Sequence, residues 1–507
     1  MSKESRTKQT AKNMTWGFAS QFVAMVLSFV SRTVFIRYLG AEYLGINSVF
    51  SDVLNLLSMA DLGFNTAMAY SFYKPLAMKD EKKLAALVTF YSNVYRIIAI
   101  SITVIGLILV PFLRVIVKTE TDIPLLEVYY LFSLAGVIIS YLFVYKTTIL
   151  TADQKNYELT SINIYISFGK TFLQILALVL WQNYIVYLAI GVVLQFIRNL
   201  IATRKAEKYY PYIKNKEKLS KEDRESIYKN LRSVVIYKLS NTLFTGTDNI
   251  IISMIVGIGI AGLYSNYLMI SQKLLLVLQI IFSALTASIG NVIAKENSQK
   301  RYEVFVSIQS LSFIMSGVIT CGFFLVINDF ITVWLGANFT LDFLTVVAIT
   351  LNTYLSCILQ PFWVYRDATG LYMKTKYVSL AGSFLNIVLS VILGLWLGLA
   401  GILLATVISR LSSYFLYEPI VLFKDFFDKS ATGYYTSIAK NALIALASCV
   451  LLKLLLDRFT IDSWPKLIVE IIFVGLVVSV IYIIFYHNTD GFKMITNKVK
   501  SFIKKRS

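Results

Sequence analysis

Residues 377–397 read YVSLAGSFLNIVLSVILGLWL, a run without a single charged side chain. A helix of this length spans ~30 Å, which matches the hydrocarbon core of a bilayer. Similar runs recur along all 507 residues, of which 57% are hydrophobic and 15% charged. Soluble domains carry roughly 25% charged residues, so these runs are too continuous for a soluble core. The sequence therefore predicts an all-α integral membrane protein.

The apolar runs predict about fourteen transmembrane helices. They are placed at residues 15–37, 45–74, 86–113, 124–146, 159–180, 185–203, 232–256, 262–294, 303–327, 343–364, 377–397, 401–423, 436–457 and 467–486.

Lysine and arginine are distributed very unevenly between the two sides of these helices. The turns after odd-numbered helices hold five of the 48 cations, whereas the termini and the turns after even-numbered helices hold 34. Because cytoplasmic loops are enriched in Lys and Arg, both termini are expected in the cytoplasm. The net charge of +19 is thus explained by membrane topology and by anionic lipids at the cytoplasmic face, without nucleic acid.

The longest cytoplasmic loop separates the first six helices from the rest and sets the predicted division of the chain. An N-lobe (1–203, helices 1–6) precedes a basic cytoplasmic linker (204–231), which we expect to be solvated and partly helical. A C-lobe (232–424, helices 7–12) follows, then helices 13 and 14 (425–486) and a basic cytoplasmic tail (487–507).

Two glycine pairs indicate an internal repeat. Gly40 and Gly45 lie at the turn between helices 1 and 2, and Gly257 and Gly262 lie between helices 7 and 8. One shift, 257 − 40 = 262 − 45 = 217 residues, superposes both pairs. Parallel repeats place a pseudo-two-fold axis along the membrane normal, and transporters of this plan bind substrate between their halves.

Ionisable side chains occur deep inside the predicted helices, where each costs about 2.5–3.5 kcal/mol to insert. Five are cations, namely Arg32, Arg96, Lys170, Lys273 and Arg410, and three are acids, namely Asp52, Asp61 and Asp248. Interhelical ion pairs are one explanation. Because the cations outnumber the acids, the excess is expected to face a hydrated cavity or an anionic ligand.

Neutral polar side chains follow one face of helix 2. Asn47, Ser51 and Asn55 are spaced four residues apart, so they share that face. Such residues could contact a sugar or join helices through hydrogen bonds. We expect them to form a polar wall of the cavity.

Several classes of catalytic chemistry are disfavoured. The chain has one histidine, His487, and its three cysteines (Cys321, Cys357 and Cys449) are widely spaced in apolar runs. No metal site, nucleotide motif, disulfide or cofactor is expected, and the predicted outer loops are too short for a catalytic domain. We expect a protein that is not an enzyme and that draws energy from gradients, the membrane potential or substrate consumption.

Several short stretches resemble the Wzx-like polysaccharide flippases of the multidrug/oligosaccharidyl-lipid/polysaccharide (MOP) exporter superfamily. The N-terminal stretches that carry the resemblance are Asn13-Met14-Thr15-Trp16, Ser31-Arg32-Thr33, Tyr38-Leu39-Gly40-Ala41-Glu42-Tyr43-Leu44-Gly45 and Ala60-Asp61-Leu62-Gly63-Phe64. The later stretches are Thr247-Asp248-Asn249-Ile250-Ile251-Ile252-Ser253, Gly262-Leu263-Tyr264-Ser265 and Val333-Trp334-Leu335-Gly336.

The resemblance implies two six-helix lobes in a V plus two C-terminal helices, in a bacterial cytoplasmic membrane. The implied substrate is an undecaprenyl-diphosphate-linked oligosaccharide repeat unit, moved from the inner to the outer leaflet for capsule, exopolysaccharide or O-antigen assembly. Glycosyltransferases and a polymerase of the same pathway are implied partners.

A cavity lined by helices 1, 2, 7 and 8 is also implied, which matches Arg32, Asp61, Asp248 and Lys273. We expect Arg32, Lys273, Arg410, Lys170 and Arg96 to receive the diphosphate. Asp61, Asp248 and Asp52 are candidates for coupling to H⁺ or Na⁺.

Three alternatives remain open. A flippase for a peptidoglycan or teichoic-acid lipid precursor belongs to the same class. A cation-coupled multidrug antiporter would need a net acidic cavity. A polysaccharide polymerase or an integral glycosyltransferase would need catalytic loops.

Overall fold

A computed structural model describes residues 6–61, 64–119, 123–283, 285–494 and 496 of the chain. In these ranges every regular element is a helix. The chain divides into two compact units, Met1–Gly262 and Leu263–Ser507. The predicted five-part division and the V-shaped arrangement of lobes stay predictions.

The described residues of the first unit form ten α-helices that begin and end within it. They are α1 (Arg6–Leu57), α2 (Phe64–Met78), α3 (Glu81–Leu109), α4 (Leu113–Ile116), α5 (Leu126–Tyr141), α6 (Val144–Ala152), α7 (Asn156–Trp181), α8 (Tyr184–Tyr209), α9 (Lys221–Gly246) and α10 (Asp248–Ile255). Helix α1 packs along α7, α5 along α8, and α7 against α8. These contacts join α1, α5, α7 and α8 into one packed group.

The next helix, α11 (Ile258–Ser283), begins in the first unit and continues into the second. The remaining helices are α12 (Thr286–Lys295), α13 (Ser298–Leu335), α14 (Phe343–Ile358), α15 (Gln360–Thr369), α16 (Tyr372–Ser412), α17 (Tyr414–Leu422), α18 (Thr432–Leu456) and α19 (Trp464–Tyr486). Helix α13 packs against α14, α18 and α19, and α16 packs against α14 and α17.

The described residues contain nine helices that are long and apolar enough to cross a membrane, or eleven if two bent pairs each count as one span. This confirms a multi-pass helical membrane protein. Two of the long helices are interrupted by glycines in non-helical conformations, Gly40 in α1 and Gly398 in α16. Each interruption separates two of the predicted spans, whereas the total of fourteen stays a prediction.

The two glycine pairs of the repeat meet in the first unit. Both leading glycines have a positive φ, +83° at Gly40 and +127° at Gly257, which a residue with a Cβ rarely adopts. A Cβ on Gly45 would overlap the Ile258 carbonyl oxygen, and a Cβ on Gly262 would overlap the Ala41 carbonyl oxygen.

This glycine crossing, formed by residues 41–45 and 258–262, is reciprocal. Adding 217 to a residue number takes Ala41 to Ile258 and Gly45 to Gly262. The contact of Gly45 with Ile258 therefore corresponds, under the repeat, to the contact of Gly262 with Ala41. Such an exchange is what a local two-fold axis produces. The repeat inferred from sequence is therefore visible as a symmetric contact.

The basic segment after α8 packs on the first unit. Its apolar residues Tyr210, Ile213 and Leu219 are buried. The Glu207 carboxylate lies 2.7 Å from the Lys146 ammonium and 3.3 Å from the Lys214 ammonium. The linker, which the sequence predicts to be solvated, is thus partly buried against the first unit. The reason is that its aromatic and aliphatic residues have apolar surface to bury.

Candidate functional site

A polar cavity of about 450 Å³ lies inside the first unit. Its wall from α1 carries Asn47, Ser51 and Asn55, the side chains that sequence spacing places on one face, together with Leu54. Ser58, in the short turn that follows α1, continues this wall. The facing wall comes from α5, α7 and α8. It contributes Phe132, Ser133, Gly136, Val137, Lys170, Gln174, Tyr187, Leu188, Gly191, Val192 and Gln195.

The serine hydroxyls of the wall already donate their protons to the backbone. Ser51, Ser58 and Ser133 each donate to the carbonyl four residues earlier, at 2.7, 2.8 and 3.0 Å. A hydroxyl has one proton and two lone pairs, so these oxygens offer acceptors to the cavity. The serines therefore suit a ligand that donates hydrogen bonds.

The two glutamines of the wall are oriented by their own hydrogen bonds. Gln174 Nε2 donates to the Tyr187 carbonyl at 3.0 Å, and Gln195 Nε2 donates to Ser140 Oγ at 3.0 Å. The Ser140 hydroxyl donates to the Gly136 carbonyl at 3.2 Å, so Gln195 must be the donor of the pair. Both glutamine Oε1 atoms are left as further acceptors.

Among the lining residues that the structure describes, Lys170 is the charged member and none is a carboxylate. A second cation, Arg198, lies close enough to Lys170 to act on it electrostatically. Arg198 Nε donates to Asn163 Oδ1, a neutral partner. The cavity therefore has positive charge that the lining does not neutralise.

An aromatic cluster borders the cavity and brings Arg32 near it. Tyr187, which lines the cavity, stacks on Tyr184 with ring centroids 6.0 Å apart and meets the Phe35 ring edge-on at 5.1 Å. The Tyr184 hydroxyl donates to Asn47 Oδ1 at 3.4 Å. Arg32 lies close enough to Tyr187 to act on it electrostatically.

Asp52 and Asp248 do not line this cavity. Asp52 Oδ2 accepts a hydrogen bond from Asn249 Nδ2 at 2.6 Å, which joins α1 to α10. Asp248 is the first residue of α10 and is partly buried. Asp61 ends the short 3₁₀ turn Ser58–Asp61, and its side chain lies outside the described residues. A role of these acids in ion coupling stays a prediction.

The remaining predicted cations lie elsewhere. Arg96 is exposed on the surface of α3 and is not among the residues lining the cavity. Lys273 (α11) and Arg410 (α16) belong to the second unit, where Arg410 Nη1 donates to Ser356 Oγ at 2.9 Å. Of the five predicted cations, the first-unit cavity thus contains Lys170.

Sequence reasoning missed the glutamines of the facing wall. Gln174 and Gln195 are both amides within apolar runs, the same signal that selected Asn47 and Asn55. Only the packing of α7 and α8 on α1 shows that the four amides share one cavity.

The count of three intramembrane acids was wrong because it omitted Glu418 and Glu470, both within predicted helices. Glu418 is fully buried in the second unit. Its Oε1 accepts hydrogen bonds from Thr375 at 2.8 Å and Ser379 at 3.4 Å, and its Oε2 lies 3.7 Å from Arg366 Nη1. Arg366, which lies beyond the predicted helix 343–364, belongs to α15. The second unit therefore contains a buried ion pair.

Comparison with solved structures supports the fold. "Lipid II flippase MurJ, inward closed conformation" has a TM-score of 0.69 and 15% identity, covering 94% of this chain and 99% of that one. An inward-facing multidrug resistance MATE transporter of the MOP superfamily has a TM-score of 0.55 and 12% identity, covering 76% and 93%. A MOP superfamily transporter from Pyrococcus furiosus has a TM-score of 0.52 and 10% identity, covering 80% and 92%.

No curated protein sequence matches the chain. The family model described as "Polysaccharide biosynthesis protein" matches residues 10–289, more than half of the chain. That range includes the glycine crossing and every residue of the first-unit cavity. The chain belongs to the polysaccharide biosynthesis protein family and has the fold of the MOP superfamily transporters.

Proposed function

We propose that the protein is a flippase for a polyprenyl-diphosphate-linked oligosaccharide, working by alternating access in a bacterial cytoplasmic membrane. The observation that carries the proposal is the first-unit cavity, whose described lining residues include four amides and one lysine but no carboxylate. Amides and hydroxyl oxygens suit the hydroxyls of a sugar, and cations suit the acidic part of such a lipid. The family match supports a role in polysaccharide assembly.

In this mechanism the glycan enters the protein while the polyprenyl tail stays in lipid. Arg32, Lys273 and Arg410 receive the diphosphate, and both termini lie in the cytoplasm. An interior-negative potential favours outward movement, since moving about two negative charges across 100 mV releases roughly 4–5 kcal/mol. Asp61, Asp248 or Asp52 couples the return step to H⁺ or Na⁺. Chemistry on the glycan is left to separate glycosyltransferases and a polymerase, so this protein is a transporter and not an enzyme.

A peptidoglycan lipid precursor is the second candidate substrate, and the likeness to a Lipid II flippase favours it. It is also a polyprenyl-diphosphate sugar, so the same amides would serve it. A multidrug antiporter that selects cations is disfavoured, because the described cavity presents Lys170 and no acidic side chain.

Reconstituted vesicles test the proposal. The purified full chain should move a fluorescent polyprenyl-diphosphate oligosaccharide between leaflets, and should move Lipid II much more slowly. Faster movement of Lipid II would select the second candidate. Movement of neither lipid, together with export of cationic dyes, would overturn the proposal.

A variant in cells gives an independent test. The double substitution Arg32→Ala and Lys273→Ala should abolish surface polysaccharide while the protein remains folded in the membrane. Normal polysaccharide with this variant would contradict a cationic path for the diphosphate.

A further inference from the structure

We propose that the first-unit cavity binds a sugar carrying one negatively charged group, and that Lys170 receives that group. This inference rests on the proposed function, because it names the class of sugar that the same cavity would take. It departs from the expectation that Lys170 contacts the lipid diphosphate.

The first argument is the pattern of donors and acceptors. Phosphate oxygens only accept hydrogen bonds from cations and N–H or O–H groups, whereas sugar hydroxyls also donate. Three serine oxygens are available to the cavity as acceptors because their protons are engaged with the backbone, and the two glutamine Oε1 atoms add two more acceptors. A sugar ring can donate to these acceptors and accept from Lys170 and from the remaining amide N–H groups, whereas a diphosphate has no proton to give to the acceptors.

The second argument is the amount and kind of charge. Lys170 supplies one ammonium group, a point charge that suits a single carboxylate or phosphate monoester. The neighbouring Arg198 already donates to Asn163 and is not among the lining residues. A lysine near the middle of its helix, with no carboxylate among the described lining residues, favours a ligand that brings negative charge.

The third argument is size and surface. A volume of about 450 Å³ falls within the range of roughly 300–1,000 Å³ that small-molecule pockets occupy. Phe132 and Tyr187 give the cavity two aromatic side chains, which suit the C–H surfaces of a sugar ring. One charged sugar with hydroxyls to donate therefore matches the lining in shape, charge and hydrogen bonding.

Two matched lipids and three variants test this inference in vesicles. The lipids are polyprenyl-diphosphate disaccharides that differ only in carrying glucuronic acid or glucose at the terminal position. The variants are Lys170→Met, Lys170→Arg, and Lys440→Met as a control, since Lys440 is an exposed helical lysine in the second unit. Initial rates of movement are compared after size-exclusion profiles confirm folding.

We expect the wild-type protein to move the acidic lipid faster. Lys170→Met should lower that rate by about tenfold or more, the effect of losing one charged hydrogen bond. It should change the rate of the neutral lipid by less than about twofold, Lys170→Arg should restore most of the loss, and Lys440→Met should behave as wild type. This pattern of rates would distinguish a lysine that binds the charged sugar from a lysine that only stabilises the fold.

Equal losses for both lipids in Lys170→Met would overturn the inference and leave the flippase function standing, because the lysine would then act on their common diphosphate. Wild-type preference for the neutral lipid would also overturn it. Movement of neither lipid by the wild-type protein would instead overturn the proposed function.

Discussion

At the scale of single residues, serine and amide side chains play different parts in these apolar helices. A serine can donate to the carbonyl four residues earlier in its own helix, as Ser51 and Ser58 do. The amide of an asparagine or glutamine has more hydrogen-bonding groups than its own helix can satisfy. Asn47 and Gln174 therefore form hydrogen bonds with residues of α8. An amide in these helices therefore tends to join two elements, whereas these two serines are satisfied by the backbone of their own segment.

This difference predicts unequal effects of two substitutions on α1. Asn55→Leu should slow movement of the lipid-linked oligosaccharide by about tenfold, since it removes an amide from the cavity wall. Ser51→Ala should slow it by only about threefold, because the serine offers the ligand one neutral acceptor while its hydroxyl proton is bound to the Asn47 carbonyl at 2.7 Å. Rates in reconstituted vesicles give the comparison, and a larger effect of Ser51→Ala would contradict this account.

The buried pair of the second unit makes a prediction about stability. Arg366→Met should destabilise the protein by about 3–5 kcal/mol, because Glu418 is fully buried and would lose its cation. The double variant Arg366→Met and Glu418→Leu should recover most of that loss. Thermal unfolding of the purified protein in detergent measures both effects.

The matched control is Lys374→Met, whose ion pair with Asp425 is 2.7 Å long but largely exposed. Exposed pairs contribute about 0–1 kcal/mol, so this variant should unfold near the wild-type temperature. A comparable loss in both variants would show that burial of Glu418 is not the cause.

At the scale of elements, the glycine crossing shows that two helix backbones can come into contact where glycines leave no side chain between them. The backbones of residues 41–45 and 258–262 lie so close that Gly45 and Gly262 each face the partner's carbonyl. Small residues permit this approach in membrane helices, where packing is a main driving force. The crossing fixes the end of α10 and the start of α11 against α1.

Alanine substitutions test that crossing. Gly45→Ala and Gly262→Ala should each destabilise the protein by about 1–3 kcal/mol, because the new methyl overlaps a backbone oxygen that cannot rotate away. The two effects should be similar, since the contacts exchange under the repeat. Gly259→Ala is the control, as a Cβ there meets nothing within 4 Å. Thermal unfolding should place this control near wild type, and equal losses in all three would refute the steric explanation.

The contact between α3 and α9 predicts a dependence on pH. Lys83 Nζ donates to Asp223 Oδ1 at 2.9 Å, and this hydrogen bond, with help from Ser220, lowers the pKa of Asp223. A carboxyl with a lowered folded-state pKa stabilises the protein above its unfolded pKa, about 3.9, and loses that contribution as pH falls through the folded value. The stabilisation should thus be constant near neutral pH and decline in acid.

Lys83→Met provides the measurement for that pair. Both side chains are partly exposed, so the variant should lose no more than about 1 kcal/mol at pH 7. The difference from wild type should shrink below about pH 4, where Asp223 becomes protonated in the unfolded chain. A difference that grows in acid would show that the ion pair is not responsible.

At the scale of the whole molecule, charge distribution predicts which side of the membrane each loop faces. In a background with the three buried cysteines replaced, Lys466→Cys should react with a membrane-impermeant maleimide in intact cells. Lys216→Cys should react only after permeabilisation, because it lies in the cation-rich segment expected in the cytoplasm. The reverse pattern of labelling would invert the topology.

Several features could be read from the sequence because they depend on local chemistry. Long apolar runs specify membrane helices, and four-residue spacing puts Asn47, Ser51 and Asn55 on one face. The repeated glycines predicted a repeated turn, which the structure contains as positive φ values at Gly40 and Gly257. These features need no knowledge of neighbouring helices.

Other features required the tertiary structure, because they depend on which helix faces which. Depth along a helix could not distinguish Lys170, which lines the cavity, from Arg96, which lies on an exposed surface. Nor could it show that Arg366 meets Glu418. The membrane class, the repeat and the polar face of α1 could be read from the sequence alone. Packing decided which polar groups share a cavity, because residues far apart in the chain meet only when their helices assemble.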